Sequence, residues 1–369
     1  LKNNKGTEDN RVRKLDYSIQ LSALFYQRFI DNEEVSLFSP HDVPGLYDSF
    51  GTDAFDDLYV KYENDESIPR TTIGGQELIL ELLKERAETG RIYIMNIDHC
   101  NSHSSFQDKV EMSNLCQEIT LPTKPIQHID GDGEIALCIL SAINIGKLRD
   151  LSDFESLCDL SVRSLDELID FQGYPVNAAE IATRARRSLG VGFIGLAHYL
   201  AKQGVKYDQP EAWQLVHDLT EAFQYYLIKS SVNLAKEKGA CEYSDRTKYA
   251  QGILPIDTYK KDVDNIVPNE LKYDWESLRE EVKQYGIRNS TLSAQMPSES
   301  SSVVSNATNG IEPPRGYLSV KKSKKGPLKQ IVPQYGSLKN NYTLLWDMPS
   351  NNGYINVVAV MQKFFDQAI

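Results

Sequence analysis

Strand-like apolar runs separated by amphipathic helical stretches recur along the whole chain. That alternation restricts the fold to the α/β class with largely parallel pairing, in a sheet either open or closed. Residues 15–30 set Leu21, Leu24, Phe25 and Phe29 on one helical face. Residues 77–87 repeat the pattern, with Gly90 as a stop signal, and lead into a strand at 91–97 with the sequence RIYIMNI. The run 135–140 (IALCIL) reads as a buried strand, residues 156–171 and 211–237 as helices, and 288–294 as a late, more polar strand. No internal repeat or low-complexity linker interrupts the series.

The chain has 369 residues, enough for one large domain or two modest ones. Its 40 Lys+Arg against 52 Asp+Glu give a net charge of −12, which argues against nucleic acid or a membrane surface as partner, since both are polyanionic. A local pocket for one phosphorylated small molecule stays compatible with that balance. No apolar run reaches the ~18–20 residues of a membrane span, and no signal-peptide pattern opens the sequence. Cys100, Cys116, Cys138, Cys158 and Cys241 are widely spaced and form no CxxC, so neither a disulfide framework nor a structural metal is expected, and a reducing cytoplasm fits. Leu1 in place of methionine, the loop-like Lys2–Gly6 and a last segment, Phe365–Ile369, ending on an amphipathic helix lead to the expectation of a piece of a longer protein.

Three signals are discounted. Gly190-Val191-Gly192-Phe193-Ile194-Gly195 matches the dinucleotide fingerprint GxGxxG, but Arg184–Ser188 before it is no strand core. The expectation is a glycine-bearing strand or bend packed closely against a helix near Ala197–Lys202. The basic run Lys321–Gly326 reads as a solvated turn between strands. His99 and His103 have i,i+4 spacing, but their neighbours place them in an expected loop, where packing or capping outweighs metal binding.

Two segments carry chemistry. In Ser113–Ile119 an extended backbone would put Asn114, Cys116 and Glu118 on one face, with Leu115, Gln117 and Ile119 behind. A thiol between an amide and a carboxylate suits work on a polyol: sulfur for hydrogen-atom or nucleophilic chemistry, carboxylate as base, amide to orient a hydroxyl. A buried cysteine beside a capping asparagine is the bland alternative. The second segment, Gln295–Ser302 followed by Val303–Asn306, lies between the late strand and a helix start, where free backbone N–H groups favour a phosphate. A serine-rich capping loop is its bland alternative.

Taken together, Asn114-Leu115-Cys116-x-Glu118-Ile119 and Met296-Pro297-Ser298-Glu299-x-Ser301-Ser302 with Ser305–Pro313 resemble the large subunit of class I ribonucleotide reductases. Phe38–Tyr47, Thr89–Tyr93 and Gly252–Tyr259 extend the resemblance over essentially the whole chain, 1–369. The resemblance implies a ten-stranded α/β barrel of the ribonucleotide reductase and glycyl-radical type, with the radical cysteine on a loop through its centre. It implies reduction of ribonucleoside diphosphates, with Cys116 as the thiyl radical that abstracts the ribose 3′ hydrogen. Glu118 would take the 3′-hydroxyl proton, Asn114 would hydrogen-bond the substrate hydroxyls, and Cys138 would be one of two cysteines that reduce the 2′ carbon and end as a disulfide. Leu115 and Gln117 would flank the substrate, and Pro297, Ser298, Glu299, Ser300 and Ser301 would bind its phosphates.

No cofactor is expected in this chain. The radical would come from a metal-containing small subunit, electrons from thioredoxin or glutaredoxin, and nucleotide effectors would bind elsewhere in the full subunit. Against the family pattern, the resemblance leads to the expectation that the N-terminal regulatory region, the early barrel strands with the partner of Cys138, and the C-terminal tail lie outside this chain. Catalytic silence alone, and association with the N-terminal part of the large subunit, are therefore expected. A glycyl-radical or cobalamin-dependent relative, a non-catalytic nucleotide-binding piece, and an NAD oxidoreductase using Gly190–Gly195 remain as alternatives.

Overall fold

The computed structural model describes residues 16–128, 131–323 and 326–369; the opening Leu1–Gly6 and Leu15 lie outside the described residues, as do Lys324 and Lys325 of the basic run. Two compact units divide the chain. One runs to Ser102 and includes Val110–Thr120, and the other comprises His103–Lys109 and Leu121–Ile369.

The first unit contains β1 (Ser18–Leu21), α1 (Ala23–Asp31), β2 (Glu34–Phe38), α2 (Leu46–Ser49), α3 (Ala54–Glu63), β3 (Arg70–Gly74), α4 (Gly75–Thr89), β4 (Tyr93–Asn96) and α5 (Ile97–His103). The single helix expected over 15–30 is instead a strand and a helix. Ser22 divides them, since its hydroxyl caps α1 by accepting from Phe25 N at 3.2 Å. Upstream of it, β1 pairs parallel with β4 in the register Ser18↔Tyr93 to Leu21↔Asn96. α4 ends where expected, on Gly90 in the left-handed region at φ 67°. β2 and β3 pair antiparallel. His99 and His103 sit on helix α5 rather than in a loop.

The second unit contains β5 (Ile139–Asn144), α6 (Asp153–Phe171), α7 (Asn177–Arg186), β6 (Leu189–Ile194), α8 (Leu196–Lys202), α9 (Pro210–Lys238), α10 (Pro255–Thr258), α11 (Trp275–Tyr285), α12 (Glu299–Val304), β7 (Leu318–Ser323), β8 (Gly326–Ile331), α13 (Tyr335–Leu338) and α14 (Asn352–Gln362). α6 and α9 form because apolar residues recur at helical spacing, Phe154, Cys158, Val162, Leu165 and Ile169 in the first and Ala212, Val216, Leu219, Phe223 and Leu227 in the second. These stripes enclose β6, whose residues are all buried. Phe193 of β6 packs edge-on against Phe223 and Phe365, at centroid distances of 5.3 and 5.8 Å. His103 is used in packing, its Nδ1 2.9 Å from Thr258 Oγ1 and its Nε2 2.8 Å from Phe365 O.

Gly190 and Gly192 belong to β6 itself, and Gly195 is the N-cap of α8, which follows directly, as the strand-and-helix expectation has it. They are needed for close approach: a Cβ on Gly192 would stand 2.6 Å from Ala294 O, and Gly195 has φ 88°. β5 pairs parallel with β6, in register Ile139↔Leu189 to Asn144↔Ile194. It starts four residues later than the expected 135–140, and Leu140 is exposed because β5 has β6 on one side alone among the described strands.

Residues 288–294 are not a regular strand: 288–290 bend, and 291–294 run alongside β6. Leu189 N donates to Thr291 O, Val191 N to Leu292 O and Ala294 N to Val191 O, at 3.0, 2.8 and 3.1 Å, with a parallel bridge at Val191↔Ser293. Their other edge is closed by a carboxylate instead of a strand: Asp366 accepts from Leu292 N, Ser293 N, Ser293 Oγ and Tyr249 OH at 2.7–2.9 Å. Phe365–Ile369, expected as helix, is irregular because its side chains serve these contacts. β7 and β8 form an antiparallel hairpin. Lys321 does not sit in its turn but on β7, reaching back to Ser300 Oγ and Glu299, each at 3.0 Å.

The class is therefore mixed α/β. Among the described residues the pairing is half parallel and half antiparallel, in four two-stranded sheets. No helix among them is long and apolar enough to cross a membrane.

Candidate active site

The segment carrying Asn114, Cys116 and Glu118 is a turn held at its base by side chains of the first unit. Asn101 grips Val110 on both backbone groups, accepting from Val110 N at 2.7 Å and donating to Val110 O at 3.0 Å. Gln20 Nε2 donates to Glu111 O at 2.5 Å. Further out, Ser113 Oγ donates to Ile119 O at 2.6 Å and Ile119 N to Asn114 Oδ1 at 3.2 Å, closing the neck. Gln117 N donates to Asn114 O at 3.2 Å, so Leu115 and Cys116 form the tip of a β-turn. The turn is strained, since Gln117 takes φ 70° without being glycine.

This replaces the extended backbone expected from the sequence. The three residues still meet, but through the turn: Asn114 Nδ2 donates to Glu118 Oε2 at 2.8 Å. Asparagine favours such a local reversal because its short amide bonds nearby backbone. Cys116 and Leu115 are exposed at the tip, while Glu118 is buried beneath it. Partial desolvation, then the charges of Glu118 and Asp16, lifts the Cys116 thiol above its ordinary value. It therefore keeps its S–H at neutral pH, the form that can give up a hydrogen atom.

Cys138 and the serine-rich loop belong to the second unit and meet opposite ends of β6. Cys138 immediately precedes β5, and its sulfur lies over Gly190, where a Cβ would come within 2.7 Å of it. The loop leaves the carboxyl end, because 291–296 runs parallel to β6 and continues into Pro297 and Ser298, the N-cap of α12. Ligand sites gather at the carboxyl ends of parallel strands, where loops rather than side-chain layers face outward. β5 and β6 support the loop from below: Asn144 Nδ2 donates to Ser305 O at 3.2 Å, and Gly195 N is 3.1 Å from Thr308 O and from Gly310 O. Along the strand, Gly190 and Ile194 are roughly 13 Å apart. Within the loop Ser301 Oγ donates to Ser298 O at 3.0 Å, whereas the buried Ser298 Oγ has no hydrogen-bond partner among the described residues. Glu299 is engaged by Lys321, and Ser300 accepts from the same ammonium.

Sequence reasoning missed Asn101 and Gln20, which fix the cysteine turn, and Gln367 and Asp366, which tie the end of the chain to β6 and to residues 292–293 respectively. None sits in a recognisable spacing with the groups it serves, and each acts across many residues. Gly190 was visible as a strand glycine, but nothing in the sequence pointed to Cys138 as the reason for it.

The family described as the ribonucleotide reductase barrel domain matches residues 1–369. The chain is 60% identical over 375 residues to the ribonucleoside-diphosphate reductase subunit alpha of Haemophilus influenzae, covering all of this chain and 50% of that protein. It is 56% identical to subunit alpha of ribonucleoside-diphosphate reductase 1 of Escherichia coli, covering all of this chain and 49% of that one. The large subunit of Arabidopsis thaliana is 33% identical over 340 residues, covering 85% of this chain and 40% of its own length. The chain thus spans about half the length of the curated bacterial relatives it matches. With the match spanning all 369 residues, the cysteine turn and the serine-rich loop among them, the chain belongs to the ribonucleotide reductase barrel-domain family.

Proposed function

We propose that this chain supplies the catalytic residues for reduction of ribonucleoside diphosphates to 2′-deoxyribonucleoside diphosphates. The observation that carries the reading is the Asn114–Glu118 pair, hydrogen-bonded at 2.8 Å beneath an exposed, protonated Cys116. Cys116, as a thiyl radical, takes the 3′ hydrogen of the ribose and becomes S–H. Glu118 accepts the 3′-hydroxyl proton, and Asn114, already bonded to Glu118, orients the hydroxyls. The 2′-hydroxyl leaves as water. Two thiols, Cys138 and a cysteine elsewhere in the subunit, give two electrons and two protons and become a disulfide. Cys116 then returns its hydrogen to the 3′ carbon and regains the radical. In sum, one diphosphate and two thiols yield one deoxy product, one disulfide and one water.

In this reading the chain contributes to a barrel of the ten-stranded type completed by the rest of the large subunit. A metal-containing small subunit supplies the radical, thioredoxin or glutaredoxin restores the thiols, and the setting is the cytoplasm. The test is conversion of a labelled ribonucleoside diphosphate by the complete large subunit with small subunit and dithiol. Deoxynucleotide formation is expected, and binding of the substrate without reduction overturns the reading.

The substrate phosphates are assigned to Pro297–Ser301. Ser300 lies in the first turn of α12, where helical φ already suits proline and the N–H lacks an intrahelical acceptor. Ser300→Pro is expected to weaken diphosphate binding roughly tenfold by deleting one donor to a charged group. Ser301→Ala, whose hydroxyl is spent on Ser298 O, should change it by less than about threefold. Equal, small effects in an equilibrium titration would remove the loop from the site.

A further inference from the structure

The Cys138 sulfur lies in a seat built from three separate stretches of chain. Gly190 offers a bare Cα, and a Cβ there would stand 2.7 Å from the sulfur and 2.5 Å from Leu140 Cδ2. Gln367 covers the seat from the segment after α14, its Nε2 donating to Leu189 O at 2.9 Å and to Cys138 Sγ at 3.8 Å. A carboxamide nitrogen carries two hydrogens, so both bonds can be made at once.

The carboxamide is itself fixed. Gln367 is 2% exposed. Its backbone O accepts from Gln362 Nε2 at 2.7 Å, and its neighbours are held as firmly: Asp366 by Ser293 and Tyr249, and Ala368 O by Gln295 N at 3.2 Å. A donor held this rigidly sets the direction of the sulfur's lone pairs, and therefore of its S–H. It also favours the thiolate over the thiol, because hydrogen bonds to the charged form stabilise that form.

We infer that Gln367 is a positioning residue for Cys138: its carboxamide and the hollow at Gly190 together aim the thiol and raise its thiolate population. This deepens, and rests on, the reading of Cys138 as a reducing thiol, since a sulfur that must meet first a ribose carbon and then a second sulfur gains from a single orientation.

The experiment is the rate of Cys138 alkylation by iodoacetamide in the full chain, resolved from the other cysteines by peptide mass, at a fixed pH below the thiol's own pKa. Gln367→Met keeps the length and loses the donor, and Gln367→Glu replaces it with a negative charge. Both are expected to slow alkylation of Cys138, Gln367→Met by roughly three- to tenfold and Gln367→Glu by at least as much. A merely structural role predicts the opposite direction, because a loosened seat exposes the sulfur and speeds the reaction. Gly190→Ala, which displaces the sulfur from the amide while leaving Gln367 in place, should slow it too. An unchanged or faster rate in Gln367→Met overturns the assignment. These rates need no turnover, so a Cys138→Ser enzyme that still reduced nucleotides would sink the catalytic reading while leaving the alkylation result to stand or fall alone.

Discussion

Replacing Cys116 by serine should lower deoxynucleotide formation by the complete subunit at least about a thousandfold, for which ~4 kcal/mol of added barrier suffices. The effect is chemical. An O–H bond is considerably stronger than an S–H bond, so moving a radical onto serine runs uphill, and a hydroxyl cannot stand in as the hydrogen-atom carrier. The turn itself should survive. Its bonds come from Ser113, Asn114 and the Gln117 N–H, and the Cys116 side chain is exposed at the tip. Stability should therefore change by within about 0.5 kcal/mol. Substrate affinity should hold as well, because Asn114 and Glu118 keep their mutual bond. The measurements are product formation, equilibrium binding of the diphosphate and thermal unfolding, made on the same preparation. Substantial reduction by Cys116→Ser would end the radical assignment, and lost binding or stability would make the cysteine a structural one.

Elements whose cause is local were legible in the sequence. α4 with its stop at Gly90, and α6 and α9 with their apolar stripes, depend on spacing within one segment, and the sequence contains that spacing. β4 was legible because an apolar, β-branched run after a helix has few other uses, whereas β6 was legible only as a glycine-bearing strand or bend before a helix. What was not legible depended on distant partners. The first residues of 15–30 are strand because β4, more than 70 residues away, takes them up. Residues 288–294 are not a full strand because Asp366 occupies their second edge. β5 starts late because register with β6, rather than its own apolar run, fixes its length.

The candidate site divides in the same way. Residue types singled out Asn114, Cys116 and Glu118 for the chemistry proposed, but period-two alternation gave the wrong reason for their meeting. A turn closed by the asparagine side chain brings them together, and that depends on Ser113 and Ile119 as much as on the three themselves. The supports at Asn101 and Gln367 act from positions with no spacing relation to the cysteines, so composition and periodicity are blind to them.

Cys138→Ser should likewise stop formation of 2′-deoxynucleotide while leaving substrate binding intact. The 2′ carbon needs two electrons, and in the proposed reaction they come from two sulfurs joining. A serine can neither be oxidised to a disulfide nor pass the electrons on, so the loss should again be about a thousandfold or more. The seat tolerates the change: an oxygen is smaller than a sulfur, Gly190 leaves room beneath it, and the Gln367 carboxamide can donate to a hydroxyl as to a thiol. A large change in unfolding is therefore not expected, which separates this outcome from damage to the β5–β6 pair. The decisive measurement is one turnover without external reductant, followed by alkylation and peptide mapping of the remaining thiols. If the assignment holds, Cys138 disappears from the alkylatable pool in step with product, one sulfur per deoxynucleotide formed. If product accumulates while Cys138 stays fully alkylatable, the electrons come from elsewhere, and the thiol over Gly190 is a packing residue whose seat serves the sheet rather than the reaction.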